Sequence, residues 1–368
     1  MLSDLEALKT ADKKPLVRVH FVRNGPSYLP ELDAYAQFIT AHGHEAHIHD
    51  TSTTVPDNAQ VVWWICGRVP HAEARRLRDA FQIHEYASAS VPPYAWLKDQ
   101  VKHWTQPRPD FRLFQNAWVR QRLGFADGVP SNLRDMGVAL HFLDARETQP
   151  QTEAPSLTGN ASHAQGDVLA NNETGLNAEF DLVYLGEMSR LTPFLPLLQS
   201  IHDANRTLLL VGDVPDDLRL ALQPSVSCTG RVPHAQVPHH LLRARFGLNL
   251  VSNVAPYHQQ TSTKLLEYCA VGLPVVSNDY AWVRYFATHF EGNFHLLNDD
   301  PETWVFSFGE ALDAYPYRVP DVQTLAWPTL LRHLPLWKKL HINASHVSAT
   351  PSHNSPQPPM PLARERTE

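Results

Sequence analysis

The chain has 368 residues, 43% of them hydrophobic and 19% charged, with a formal net charge of −7. That length is about two domains' worth of chain, and the acidic balance argues against a nucleic-acid partner, which wants a dense stripe of Lys and Arg. No stretch reaches the ~18–20 apolar residues of a membrane span. The opening MLSDLEALKTADKK lacks a secretory apolar core, and three cysteines (Cys66, Cys228, Cys269) cannot build a disulfide framework. A cytoplasmic two-domain protein is expected.

The first half opens with a strand over 16–22, where Val17, Val19 and Phe21 alternate with Arg18 and His20. A turn (RNGPS) leads to a helix carrying Leu32, Tyr35, Ala36 and Ile39, with Glu31 and Asp33 near its positive end and Gly43 at its close. A second strand follows at 45–49. The continuously apolar QVVWWIC (60–66) reads as a parallel strand covered on both faces, and the strand–helix alternation runs on to 81–86 and weakens after Pro92. The polar, aperiodic segment 148–178 reads as a linker or surface insertion.

In the second half six short apolar runs, at 182–185, 207–211, 226–229, 248–251, 274–277 and 294–297, are separated by helix-length segments. Six such units make a doubly wound parallel α/β domain. Asp300-Pro301 marks one helix start, and Gly272 stops the helix that begins near Thr263. Residues 321–345 are expected to pack back on the first domain. The alternative is a membrane-surface helix over 324–341, with Trp327, Leu330, Leu331, Leu334 and Trp337 apolar and Arg332, Lys338 and Lys339 basic. The proline-rich 346–368 is expected to be disordered.

Two doubly wound domains imply a cleft, with ligands at the carboxyl ends of the strands. The segment 256–279, PYHQQTSTKLLEYCAVGLPVVSND, is the strongest candidate for a site. Thr261, Ser262 and Thr263 are expected to cap a helix whose amino end suits a phosphate or diphosphate. Lys264 stands in the first turn, against the helix dipole, which makes sense beside a bound anion; a solvated surface lysine is the plain alternative. Glu267, one turn on, can accept from the vicinal hydroxyls of a sugar.

This segment resembles the donor-site signature of GT-B glycosyltransferases, in particular glycosyltransferase family 4, whose Glu-x7-Glu motif precedes a helix and strand here written LLEYCAVGLPVV. DLVYLGEMSR (181–190), RTLLLVGD (206–213) and SVSCTGRVPHAQVPHHLLRARFGLNLV (225–251) resemble other family segments. The resemblance implies an α/β GT-B fold, two Rossmann-like domains across a cleft, and a nucleotide-sugar donor. Glu267 matches the ribose-binding glutamate, and the amides of Ser262 and Thr263 match those cradling the diphosphate. Gln259 stands where the family has the glutamate that contacts the transferred sugar.

The family's Arg and Lys after the opening strand fall here at Glu187 and near Thr192, which leaves Arg190 and Arg231 as candidate diphosphate cations. On the first domain the resemblance points to Gly25 in the loop after the first strand, beside Asn24, and to His84 near the reacting sugar, with Glu85 as the alternative; a plain β–α turn and an ordinary histidine are the competing readings. His47 and His49 share a strand face in HGHEAHIHD, but spacing supplies no further ligands, so no metal is expected. The expected activity is retaining transfer of a hexose from an NDP-sugar to a glycan or lipid-linked acceptor, with no cofactor, in surface polysaccharide assembly. Two rivals stay open: a catalytically silent GT-B-like subunit, and a nucleotide-sugar epimerase of the same fold.

Overall fold

A computed structural model of the chain describes residues 15–23, 25, 29–65, 68–147 and 178–344. The expected linker (all but residue 178) and tail lie outside the described residues, as do Asn24 and Cys66. The rest forms two compact units, one of residues 15–135 and 328–344, the other of 136–327.

The first unit is built on a six-stranded parallel sheet in the order β2-β1-β3-β4-β5-β6. Its strands are β1 (Arg18–Arg23), β2 (Glu45–His49), β3 (Val61–Ile65), β4 (Phe81–Tyr86), β5 (Phe111–Phe114) and β6 (Ser131–Leu133), alternating with helices α1 (Pro30–Ala41), α2 (His71–Arg76), α3 (Ala95–Thr105) and α4 (Ala117–Leu123). All five residues of β3 are buried, as a run apolar on both faces requires. The alternation therefore continues well past Pro92. It is hard to see in sequence because β6 is only three residues long and α3 carries Lys, Asp and Gln among its apolar positions.

The second unit begins with α5 (Leu140–Glu147). Residues 136–147, expected in the first domain, fold here because Phe142 is fully buried and its ring lies 5.0 Å from that of His234. Six strands follow: β7 (Phe180–Leu185), β8 (Leu208–Val211), β9 (Val226–Cys228), β10 (Ala244–Asn249), β11 (Val275–Asn278) and β12 (His295–Leu297). They pair in parallel in the order β12-β11-β10-β7-β8-β9. The intervening helices are α6 (Leu195–Asp203), α7 (Asp216–Ala221), α8 (Val237–Leu241), α9 (Thr263–Ala270) and α10 (Ala281–His289), and α11 (Trp304–Phe308) and α12 (Glu310–Ala314) follow the last strand.

Strand β10 starts four residues before the expected run. Gly247 at its centre explains why: a Cβ there would sit 2.5 Å from the Tyr268 ring, so a residue that weakens a strand on paper admits the covering helix here. Each sheet has one place where the chain reverses its direction of winding, between β1 and β3 in the first and between β7 and β10 in the second. Such switch points open a crevice at the strands' carboxyl ends.

The last helices, α13 (Trp327–Arg332) and α14 (Leu336–Lys339), do not present an apolar face to solvent. Trp327, Leu331, Leu334 and Trp337 are all buried. Trp337 stacks on Phe38 of α1 at 5.0 Å, which is intra-unit core packing. The reading of 324–341 as a membrane-surface helix is thereby corrected: its apolar stripe is spent on packing. Among the described residues no helix is long and apolar enough to cross a membrane.

Candidate functional site

The carboxyl ends of β7 and β10 bring together most of the residues that the sequence singles out. Tyr268 of α9 spans the two strands, its hydroxyl accepting from Leu185 N at 3.0 Å and donating to Leu248 O at 3.2 Å. Just beyond, Lys264 donates to the Tyr184 hydroxyl at 2.9 Å and to Leu250 O at 3.2 Å, with its ammonium 4.2 Å from the centre of the Tyr184 ring. One strand contributes each partner, so the lysine straddles the switch point. Burial lowers its pKa to about 7; the nearby Arg190 charge pushes the same way, and Glu267 opposes both. The plain reading of Lys264 as a solvated surface lysine is therefore corrected.

Arg190 lies in the turn that follows β7, with its guanidinium 5.7 Å from the Tyr257 ring centre. It is exposed. Two basic side chains thus stand at one strand end, and among the described residues no carboxylate is bonded to Lys264. Tyr257 opens the short 3₁₀ turn Tyr257–Gln259, which ends on Gln259, only 3% exposed.

The start of α9 differs from expectation. Ser262 is the N-cap residue, but its side chain makes no capping hydrogen bond. The Ser262 hydroxyl turns inward and donates to Asn249 Oδ1 at 2.7 Å, within a buried network in which Asn249 Nδ2 donates to Ser277 Oγ at 2.9 Å and to the Tyr280 hydroxyl at 3.1 Å. The expected cap by Thr261, Ser262 and Thr263 is corrected: the hydroxyl fixes the loop after β10 to the sheet instead. The amino end of α9, with the first-turn amides of Thr263 and Lys264, keeps its anion-binding character.

Glu267 sits one turn along α9, with Oε1 3.1 Å from His234 Nε2. The His234 ring is in turn edge-on to His141, at 4.9 Å. His234 was not marked by sequence reasoning; its only signal was a place in the 225–251 segment. A carboxylate has about four acceptor positions, and this bond uses one. Arg231 stands apart from the cluster. It follows β9, two strands from β7 in the sheet, and its amide donates to Asp213 Oδ1 at 2.9 Å.

In the first unit the outcome is different. Gly25 follows β1 beside that sheet's switch point, with φ +77°, and its amide donates to Asp50 O at 3.2 Å. His84, expected just after a strand, instead lies within β4 and is 1% exposed. Burial and the Arg112 charge push its pKa down to about 3, and Nε2 has no hydrogen-bond partner. Glu85, the alternative, is equally buried and accepts from the Tyr35 hydroxyl (3.0 Å), Trp63 Nε1 (2.7 Å) and Arg134 Nη2. Neither side chain reaches a loop, because continuous pairing with β3 and β5 holds both inside the sheet. His20 joins His47 and His49 on one face of β1 and β2, with His20 Nδ1 3.0 Å from His49 Nε2. Among the described residues no group of three or more His, Cys, Asp or Glu side chains is arranged to hold a metal ion.

A switch point with a lysine, an arginine, a helix amino end and a glutamate beside it has the chemistry to hold an anion and to accept hydrogen bonds from hydroxyl groups. Residues 179–313 match the family described as glycosyl transferases group 1. A glycosyltransferase from Rickettsia africae is 12% identical, with 90% of this chain and 100% of that one covered at a TM-score of 0.58. HepE (Alr3699) of Anabaena, solved in complex with UDP-glucose, is 10% identical over 90% and 100% of the two chains, also at 0.58. MnaA of S. aureus, solved with UDP, is 10% identical over 92% and 100%, at 0.52. No curated protein matches the sequence. The chain has the α/β GT-B fold of two Rossmann-like domains, and the stretch that resembles glycosyl transferases group 1 lies within its second unit.

Proposed function

We propose that the protein is a retaining glycosyltransferase that moves a hexose from an NDP-sugar to a glycan or lipid-linked acceptor, in surface polysaccharide assembly. The observation that carries the reading is the pair Lys264 and Arg190 at the β7–β10 switch point, beside the amino end of α9. As the glycosidic bond to the donor breaks, negative charge grows on the departing diphosphate. Two cations and aligned amides stabilise that charge where it develops, commonly a large catalytic contribution. Lys264 supplies the cation missing from the family positions at Glu187 and Thr192, with Arg190 as its companion; Arg231 is assigned no role. Glu267, steadied by His234, accepts from the ribose hydroxyls, and Gln259, buried at the end of the Tyr257–Gln259 turn, occupies the place of the family's sugar-contacting glutamate. The UDP-glucose and UDP in the Anabaena and S. aureus structures support a nucleotide diphosphate as the donor's leaving group. Retention rests on the resemblance to family 4, and no cofactor enters the step.

The test is a thermal-shift panel of UDP, GDP, ADP, dTDP and their sugars on the wild type and on Glu267→Ala. A ligand at about 100 times its Kd adds about 2.7 kcal/mol. One nucleotide should stabilise the wild type and lose most of that effect in the variant. Absence of any shift at millimolar nucleotide overturns the donor site. Binding without turnover of any donor makes the protein a silent subunit.

A further inference from the structure

Helix α3 is folded inside out. Trp96 is 61% exposed, Leu97 54%, Val101 43% and Trp104 77%, while Asp99 is 1% exposed. At 100° per residue the four apolar side chains fall on one face of the helix. Tyr94, immediately before the helix, and Val91 extend that face and are exposed as well.

The inner side is held by polar contacts. Asp99 accepts from Ser90 N at 2.9 Å and from Arg122 Nε at 3.1 Å, and the His103 ring nitrogen Nδ1 lies 3.1 Å from Leu123 O. An ordinary surface helix buries its apolar stripe and shows its charges. Here the only carboxylate of α3 is turned inward and neutralised, and the tryptophans face outward. Between 91 and 108 the remaining formal charges are Lys98, Lys102 and Arg108, in a chain whose net charge is −7.

We infer that the outer face of α3 docks on an anionic lipid surface. Trp and Tyr are the side chains that settle at a membrane–water boundary, with apolar rings inward and N–H or O–H in the headgroups. Lysines flanking such a face meet anionic headgroups. A second copy of the chain is a poorer fit: a two-fold contact through this face would gather Lys98 and Lys102 of both copies in one interface. The surface is read independently of the donor site, and its test needs no turnover.

The full-length protein is sedimented with vesicles of phosphatidylcholine alone and with 30% phosphatidylglycerol added, a composition ratio of about the order found in anionic leaflets. Binding is expected to the anionic vesicles, and to weaken in high salt as the lysine contribution is screened. Lys98→Glu with Lys102→Glu should lower it by on the order of tenfold or more, and Trp96→Ser with Trp104→Ser should abolish it. Leu220→Ser, at a side chain 89% exposed outside α3, should leave it unchanged. Trp96, Trp104, Lys98 and Leu220 are exposed and Lys102 is half-buried, so an unchanged thermal midpoint verifies folding of each variant. Failure to bind anionic vesicles overturns the inference, as does equal binding by the Trp96→Ser/Trp104→Ser variant. A dimer in sedimentation equilibrium that this variant dissociates, without vesicle binding by the wild type, assigns the face to a second copy instead.

Discussion

Glu85 and Glu267 each lie in one of the two Rossmann-like units, and each was a candidate for the site. Glu85 is 1% exposed and takes hydrogen bonds from a tyrosine, a tryptophan and a buried arginine; Glu267 is reached by one imidazole and keeps acceptor positions unused. The first sheet spends its polar residues inside, tying α1, β3, β4 and the segment after β6 together. The second gathers them at strand ends, where Lys264, Arg190 and Glu267 stay partly accessible. A carboxylate saturated by its own fold stabilises that fold, and one left with spare acceptor positions is available to a ligand.

The largest expected effect breaks the first of these. Arg134→Ala leaves Glu85 buried without its cation, and breaking a buried pair costs about 3–5 kcal/mol. Urea unfolding should show that loss, and Glu85→Ala a similar one. Glu267→Ala should cost at most about 1 kcal/mol of stability, within the range of most partly exposed substitutions, and lose nucleotide binding instead. If the two glutamates exchange these phenotypes, the contrast is wrong.

Next in size is Lys264. Replacing it by Met should raise the Kd for a nucleoside diphosphate by on the order of 10–100-fold, the equivalent of one charge-assisted hydrogen bond. Because its ammonium in the free protein has a pKa lowered to about 7, the charged form is lost as pH rises through that value. Wild-type affinity should therefore fall between about pH 6 and 8.5, and Lys264→Arg, which keeps its charge throughout, should bind with a flat profile. Isothermal titration at three pH values reads this directly. A wild-type affinity independent of pH would remove Lys264 from the anion site.

The unequal legibility of the two halves follows from the same contrast. Six apolar runs in the second half correspond to its six strands, because each strand there is short and separated from the next by a helix-length segment. The candidate residues near 259–267 could be grouped from sequence because they are close together in the chain and ride on one loop and one helix. His234 could not, since it meets Glu267 from 33 residues away. His84 and Glu85 misled because QIHEY reads as a polar strand end, whereas Arg112, Arg134, Trp63 and Tyr35, all distant in sequence, make the interior around it hospitable to polar groups. The apolar pattern of 324–341 did not distinguish a packed helix from a membrane-facing one, for the same periodicity serves both. Only packing separates it from α3, whose pattern is weaker and whose apolar face is the exposed one.

A smaller effect sharpens the role of Glu267. His234→Ala removes the one hydrogen-bond partner its side chain has among the described residues, so the carboxylate keeps its place on α9 but loses orientation. The nucleotide Kd should rise severalfold, about 1 kcal/mol for one hydrogen bond, with His234→Gln recovering part of it. A loss as large as that of Glu267→Ala would mean that the imidazole itself touches the ligand.

The smallest effect on activity is expected at His84. It contacts no loop, and its Nε2 is buried without a partner, so His84→Leu removes an unsatisfied polar atom and should leave turnover unchanged. Its influence is on acid stability. The folded-state pKa of about 3 lies below the unbound value of 6.5, so the unfolded chain holds more protons between those values, and stability falls as pH drops through that window. His20, lowered to about 4 chiefly by burial and then by His47 and His49, acts in the same direction. Acid unfolding of His84→Leu should therefore begin at lower pH than in the wild type, by a modest amount because His20 and His49 still contribute. If turnover collapses in that variant while the acid transition stays in place, His84 belongs to the chemistry after all, and the first unit is more than a scaffold.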